Sequence, residues 1–272
     1  MWAGYPIRKV HLELKSVPYS DANAILVDHL SDAMKNPNTR YMPHIDGLRC
    51  LAVTAVLLFH FGVPGLGGGY VGVDVFFVIS GYLITSIIIE EILSTGDFNF
   101  RNFYARRVTR ILPALIATLA ATSVLAVMML TPSDLVAYGK SLLASAVSVS
   151  NLLFWSESGY FDAASQTKPL LHTWSLSVEE QFYLFWPALL YFSHRLWGRR
   201  GLFWGIVVAG VLSYVANHIV VSGQAVGYQS DIFFLPHFRV FEFAIGALGF
   251  FFIKKLPASR GIQEVMLGLG VG

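Results

Sequence analysis

The sequence predicts an all-α protein, a polytopic bundle of transmembrane helices, and three observations carry that prediction. The 272 residues are 55% hydrophobic and 13% charged, whereas an ordinary soluble domain carries about 25% charged residues. Apolar stretches of roughly 17–25 residues recur along the chain, long enough as helices to cross a hydrocarbon core. Most arginines and lysines gather in the connections between those stretches, as membrane topology demands. The mean hydropathy of +0.58 agrees. A net charge of +2 gives no ground for binding nucleic acid. Cys50 is the single cysteine, so neither an intrachain disulfide nor a cysteine-based metal site can form, and no metal is expected.

Residues 1–40 are polar and irregular, with Pro6, Pro18 and Pro37, and lack the apolar core of a signal peptide. They read as an N-terminal cytoplasmic tail with a short helix over residues 21–35, ahead of a membrane domain over 41–272. The first span is residues 45–61, IDGLRCLAVTAVLLFHF. A glycine-rich connection without lysine or arginine follows, and a second span over 71–89 holds Asp74, Ser80 and Gly81. The most basic loop, 96–112, carries Arg101, Arg106, Arg107 and Arg110 and leads into a third span starting at Pro113 and ending near 130. The positive-inside rule puts that loop and the N-terminus in the cytoplasm and the glycine-rich turn outside. This predicts a multi-pass protein of the plasma (inner) membrane.

Residues 135–154 are long enough to span but differ in kind. Tyr138, Ser141, Ser145, Ser148 and Asn151 recur at three- and four-residue steps, giving a polar stripe opposite Leu142, Ala146, Val149 and Leu153. Helix parity favours a segment that does not cross, because the next span, 177–192, ends at Arg195, Arg199 and Arg200. Residues 155–174 then lie outside. A span over 202–221 leads out to a loop at 222–236, and 237–253 returns inward to Lys254, Lys255 and Arg260. A further apolar stretch opens at Ile262 and the sequence stops at Gly272 within it, so a C-terminally truncated domain is expected.

Ionisable groups are costly in hydrocarbon, so those inside spans are candidates for function. In the first span Arg49 and His60 stand eleven residues apart, close to three helical turns, which sets them on one face about 16 Å apart along the axis. Asp46 lies a turn below Arg49 on the same side. A buried histidine can bridge two helices by hydrogen bonds, or serve as general base or nucleophile near neutral pH. Asp74 and Glu179 or Glu180 each begin a span and could approach His60 from the outer side. Arg106, Arg107 and Arg110 fit a plain topology signal. At the mouth of a helix starting at Pro113, the one-turn spacing of Arg107 and Arg110 also suits phosphate groups. Glu179 and Glu180 head a helix, where its dipole favours carboxylates, and Trp174 and Tyr183 suit interfacial anchors. Arg239 and Glu242, three residues apart, read as a structural ion pair. The sequence holds no Walker-type loop, no His-Glu-x-x-His and no Gly-x-Ser-x-Gly elbow.

Four separated motifs, in order, resemble membrane acyltransferase family 3, whose members acylate cell-surface glycans. HIDGLR at 44–49 followed by His60 resembles its Arg-x10-His signature, and VGVDVFFVISGYLIT at 71–85 its second-span motif. FYARRVTRILP at 103–113 is similar to its Arg-x-x-Arg segment, and LHTWSLSVEEQFY at 171–183 supplies the fourth. The resemblance implies an acyl-CoA co-substrate, usually acetyl-CoA, on the cytoplasmic side and a glycan or glycolipid hydroxyl on the far side, within membrane lipid. It also implies a fused or separate esterase-like domain outside. Under it Arg49, Arg106, Arg107 and Arg110 are the coenzyme-binding candidates, and His60, with Asp74 or Glu179 orienting it, the catalytic ones. The alternative from the residues alone is a transporter or flippase of an envelope precursor, which would use buried Arg, His and Glu equally well.

Overall fold

The computed structural model describes residues 42–158, 168–222 and 229–253, and among them every regular element is helical. The chain divides into two compact units, 1–46 and 47–272. The tail over 1–40 with its 21–35 helix, the basic residues Lys254, Lys255 and Arg260, and the apolar stretch from Ile262 all lie outside the described residues.

Helix α1 is Pro43–His60, and a short 3-10 turn at Gly69–Val71 leads into α2, Gly72–Thr95. Then come α3 (Phe100–Met129), α4 (Pro132–Ala146), α5 (Ser150–Glu157) and α6 (Thr173–Ser222). The short α7 (Gln229–Phe234), a 3-10 turn at Pro236–Phe238 and α8 (Val240–Ile253) complete the described residues. Three stretches among these are long and apolar enough to cross a membrane: Gly69–Thr95, Phe100–Met129 and Thr173–Ser222.

The basic loop expected over 96–112 is mostly helix. Gly96 ends α2 in the left-handed conformation with φ +78°, and α3 starts only four residues later. The Asn99 side chain sets that start by accepting from the Asn102 amide at 3.0 Å. Pro113 lies inside α3 rather than at its head; a proline costs one backbone bond there but supplies no start signal when a better cap precedes it. Arg107 and Arg110 therefore sit two to three turns into a helix, not at its mouth.

The stretch 135–154 is not one helix either. α4 is capped by Thr131, whose side chain accepts from the Asp134 amide, and it ends at Ala146; α5 starts at Ser150 after Ser148 takes φ +56°. Their polar stripe is buried against the first turns of α6. Ser145 and Ser150 meet Thr173 Oγ1 at 2.8 and 2.9 Å, Ser150 meets Ser177 at 2.8 Å, and Gln181 Nε2 donates to Asn151 Oδ1 at 2.9 Å. α6 breaks at Trp197 and Gly198, where φ reaches −131° and +59°. The two halves, 173–196 and 199–222, fold back on each other, because at Gly201 a Cβ would overlap the Ser193 carbonyl. That hairpin matches the two spans read on either side of Arg195, Arg199 and Arg200.

Helix α2 sits at the centre of the second unit. Gly81 and Gly246 let α2 and α8 touch backbone to backbone, since a Cβ at either would run into the carbonyl of Phe243 or Val78. Without a hydrophobic drive between helices in lipid, such close approaches and interhelical hydrogen bonds hold the bundle. Phe243 then stacks between Phe77 and Phe182, with centroids 4.7 and 4.0 Å away, and Trp186 Nε1 donates to Thr85 at 2.8 Å. Gly69 and Gly72 bring α1 onto the head of α2 in the same way, against the carbonyls of Ala55 and Ala52. α3 runs antiparallel to the first half of α6: the Tyr104 hydroxyl donates to the Leu184 carbonyl at 2.8 Å, and Phe100 meets Tyr191 at 5.5 Å.

Candidate active site

Beside the close packing of α1 on α2 lies a groove of about 290 Å³ between α1, α2 and α6. Val53, Val56 and Leu57 of α1 form one wall, Val73, Phe76 and Phe77 of α2 another, and Ser175, Leu176 and Glu179 of α6 the third. At about 100° per residue, Arg49, Val53, Val56 and His60 share one stripe of α1. The groove-lining face is thus the face that carries the arginine one turn before it and the histidine one turn beyond. His60 closes α1 and is exposed among the described residues, not buried as the sequence suggested, and its Nδ1 lies 2.7 Å from the Val56 carbonyl. A carbonyl only accepts, so Nδ1 donates that bond and Nε2 is the ring nitrogen left for other groups.

Glu179 is the one ionisable residue among those lining the groove. Its Oε1 accepts from both the Ser80 and the Tyr183 hydroxyls, and Tyr183 also reaches Ser80 at 3.3 Å. Ser80 and Tyr183 are buried. The turn spacing of Glu179 and Tyr183 on α6 puts both on the side facing α2, where Ser80 meets them.

Behind this cluster stands α3. Arg107 is half-buried, lies over the Phe103 ring at 5.9 Å, and interacts electrostatically with Tyr183, Glu179, Arg110 and Arg106. Its Nε is buried with no hydrogen-bond partner among the described residues, and so is Oε1 of Glu180. Arg110, one turn on, lines a second cavity of about 330 Å³ with Thr118 of α3 and with His172, Thr173 and Leu176. Partial burial pushes the His172 imidazole below its usual range; its bond to the Pro169 carbonyl opposes that, and the nearby His60 adds to it. Leu176 lines both cavities.

Not every candidate joins this cluster. Arg106 is exposed and reaches Glu91 at 3.7 Å. Asp74 is 3.1 Å from Arg239, which also holds Glu242 at 2.7 Å and lies over the rings of Phe233 and Trp174 at 5.4 and 5.9 Å. The expected Arg239–Glu242 pair is therefore present with Asp74 as a third member, on the α8 side of α2. The sequence points to Ser80 and Glu180 without these partners; Trp174 and Tyr183, which suit interfacial anchors, are instead buried inside the bundle, and sequence reasoning does not single out His172. All five lie inside two of the motifs quoted above, and helical spacing alone places Tyr183 beneath Glu179.

A family profile described as an acyltransferase domain matches residues 42–271. The O-acetyltransferase OatA of Staphylococcus aureus is 31% identical over 225 residues, 83% of this chain and 37% of its own length. YrhL of Bacillus subtilis, named as a candidate peptidoglycan O-acetyltransferase, is 34% identical over 229 residues, 83% of this chain and 36% of its own. A candidate O-acetyltransferase of Staphylococcus aureus strain MSSA476, SAS0844, is 37% identical over 188 residues, covering 66% of this chain and 31% of that protein. The chain thus spans about a third of the length of these relatives. No solved structure matches it.

Proposed function

Since the chain belongs to this acyltransferase family, we propose that it is an integral-membrane O-acyltransferase that moves an acetyl group from cytoplasmic acetyl-CoA to a hydroxyl of an extracytoplasmic glycan or glycolipid. The observation that carries the reading is the groove face of α1. Its stripe carries Arg49 one turn before the groove and His60 one turn beyond it, with Glu179 on the opposite wall. Such a face can hold an anionic donor at one end and activate a hydroxyl at the other.

In this reading His60 Nε2 takes the proton of the acceptor hydroxyl, or carries the acyl group transiently. Arg49, Arg107 and Arg110 meet the phosphates of coenzyme A, for which guanidinium forks are well shaped. Arg106, turned to Glu91, serves topology and falls outside this set. Asp74, tied to Arg239, supports the outer end of α2 and not the imidazole. The N-terminus faces the cytoplasm, and the membrane is the inner one. Candidate acceptors include the peptidoglycan for which YrhL is named.

The test is purified protein in detergent with acetyl-CoA labelled in the acetyl group and cell-wall glycan fragments. Label should pass to an ester on the glycan, and His60→Ala should stop that transfer while the protein still inserts. A thioester left intact by the wild-type protein would reject the reading and favour a transporter.

A further inference from the structure

Acyl transfer from a thioester to a hydroxyl conserves protons. The C–S bond breaks, a C–O bond forms, the hydroxyl loses a proton and the departing thiolate gains one. A base at His60 accounts for the proton lost. The proton gained needs a donor near the sulfur, and a thiolate leaving into an apolar groove is costly without one.

Glu179 is placed for this. Among the described residues it is the single ionisable side chain on the groove walls, which are otherwise Val53, Val56, Leu57, Val73, Phe76, Phe77, Ser175 and Leu176. Both Ser80 and Tyr183 end on its Oε1, so the carboxyl is fixed from behind and Oε2 is the oxygen left for other partners. Glu180 and the Arg107 guanidinium lie near it.

We infer that Glu179 is the acid that returns a proton to the donor sulfur, with Ser80 and Tyr183 as its positioning residues; this rests on the acyl transfer proposed above. The proton moves from the carboxyl to sulfur as the C–S bond breaks, while the acceptor proton goes to His60. After the step the imidazolium releases its proton to the aqueous side and the Glu179 carboxylate takes one up, restoring the starting state with no net proton change.

The experiment compares two donors, acetyl-CoA and an acetyl thioester of a nitro-substituted thiophenol, whose thiolate leaves without a proton. Glu179→Gln should lose about 10²–10³-fold with acetyl-CoA, yet stay within about tenfold of wild type with the aryl thioester. Tyr183→Phe should show the same pattern more weakly, and carries the test if Glu179→Gln does not fold. His60→Ala should lose both donors. Equal losses on both donors in Glu179→Gln, or full activity with acetyl-CoA, would overturn the assignment. A wild-type protein that consumes neither donor would instead bring down the acyl-transfer reading beneath it.

Discussion

Asp74 and Arg239, 165 positions apart in sequence, meet at 3.1 Å between Oδ1 and Nη1, and Glu242 completes the contact from the other side at 2.7 Å. The guanidinium and Glu242 are almost fully enclosed, while Asp74 is about one-third exposed. Arg239→Ala would strand two carboxylates, one of them deep in the bundle, and should destabilise by roughly 3–5 kcal/mol. Asp74→Asn should cost much less. Melting curves in detergent check the order, and equal effects would contradict it.

Replacing His60 should remove catalysis and leave the fold. The ring ends α1 and bonds only back onto its own helix among the bonds described here, through the Val56 carbonyl. His60→Ala is expected to lower transfer by about 10²–10⁴-fold with an unchanged melting temperature. Substantial transfer by the variant would remove His60 from the mechanism.

Arg106 and Arg107 are neighbours with opposite fates. Arg107→Ala should chiefly raise the acyl-CoA concentration needed for half-maximal rate, because its guanidinium faces the interior beside Glu179 and Tyr183. Arg106→Ala removes an exposed contact to Glu91 at 3.7 Å, an interaction typically worth about 0–1 kcal/mol. Titrations of both variants with acyl-CoA separate the two; matching curves would argue against the inward role.

His172 should leave a mark on stability in mild acid. Its folded imidazole is held below the ordinary value of 6.5, so the unfolded chain binds more protons as pH falls. The contribution is fully present above that value and is lost as pH drops through it towards the lower folded one. His172→Gln should flatten this part of the melting-temperature profile. A variant as acid-sensitive as wild type would show that another group is responsible.

Two glycines in helices should respond in opposite ways. Gly246→Ala drives a methyl into the Val78 carbonyl at the α2–α8 crossing, whereas at Gly139 in α4 nothing lies within 4 Å of a Cβ. Gly246→Ala should lower the melting temperature, and Gly139→Ala should hold or raise it, since Ala is favoured over Gly in a helix by up to about 1 kcal/mol. A harmless Gly246→Ala would mean that α2 and α8 can separate.

The helical membrane class was legible because composition and run length report it directly. The shared face of Arg49 and His60 was legible because helical periodicity is local, and the groove lies on that face. What sequence missed was set by competition between signals. Pro113 reads as a helix start, but Asn99 caps earlier, so α3 runs back through the arginines. The stripe from Tyr138 to Asn151 keeps its period across a break at 147–149, and periodicity alone does not reveal a single residue such as Ser148 turning left-handed. The partner of Asp74 was out of reach, since nothing local links it to Arg239. The Ser80–Glu179–Tyr183 cluster likewise joins two helices nearly a hundred residues apart.

The hydroxyl and amide ladder from Ser145 through Thr173, Ser150 and Ser177 to Asn151 and Gln181 has a mechanical meaning. Peeling residues 132–157 away from α6 would turn all of those groups towards hydrocarbon at once, with no water to receive them. That flank works as a fixed post. It holds the first turns of α6, the groove wall that carries Glu179, in one place.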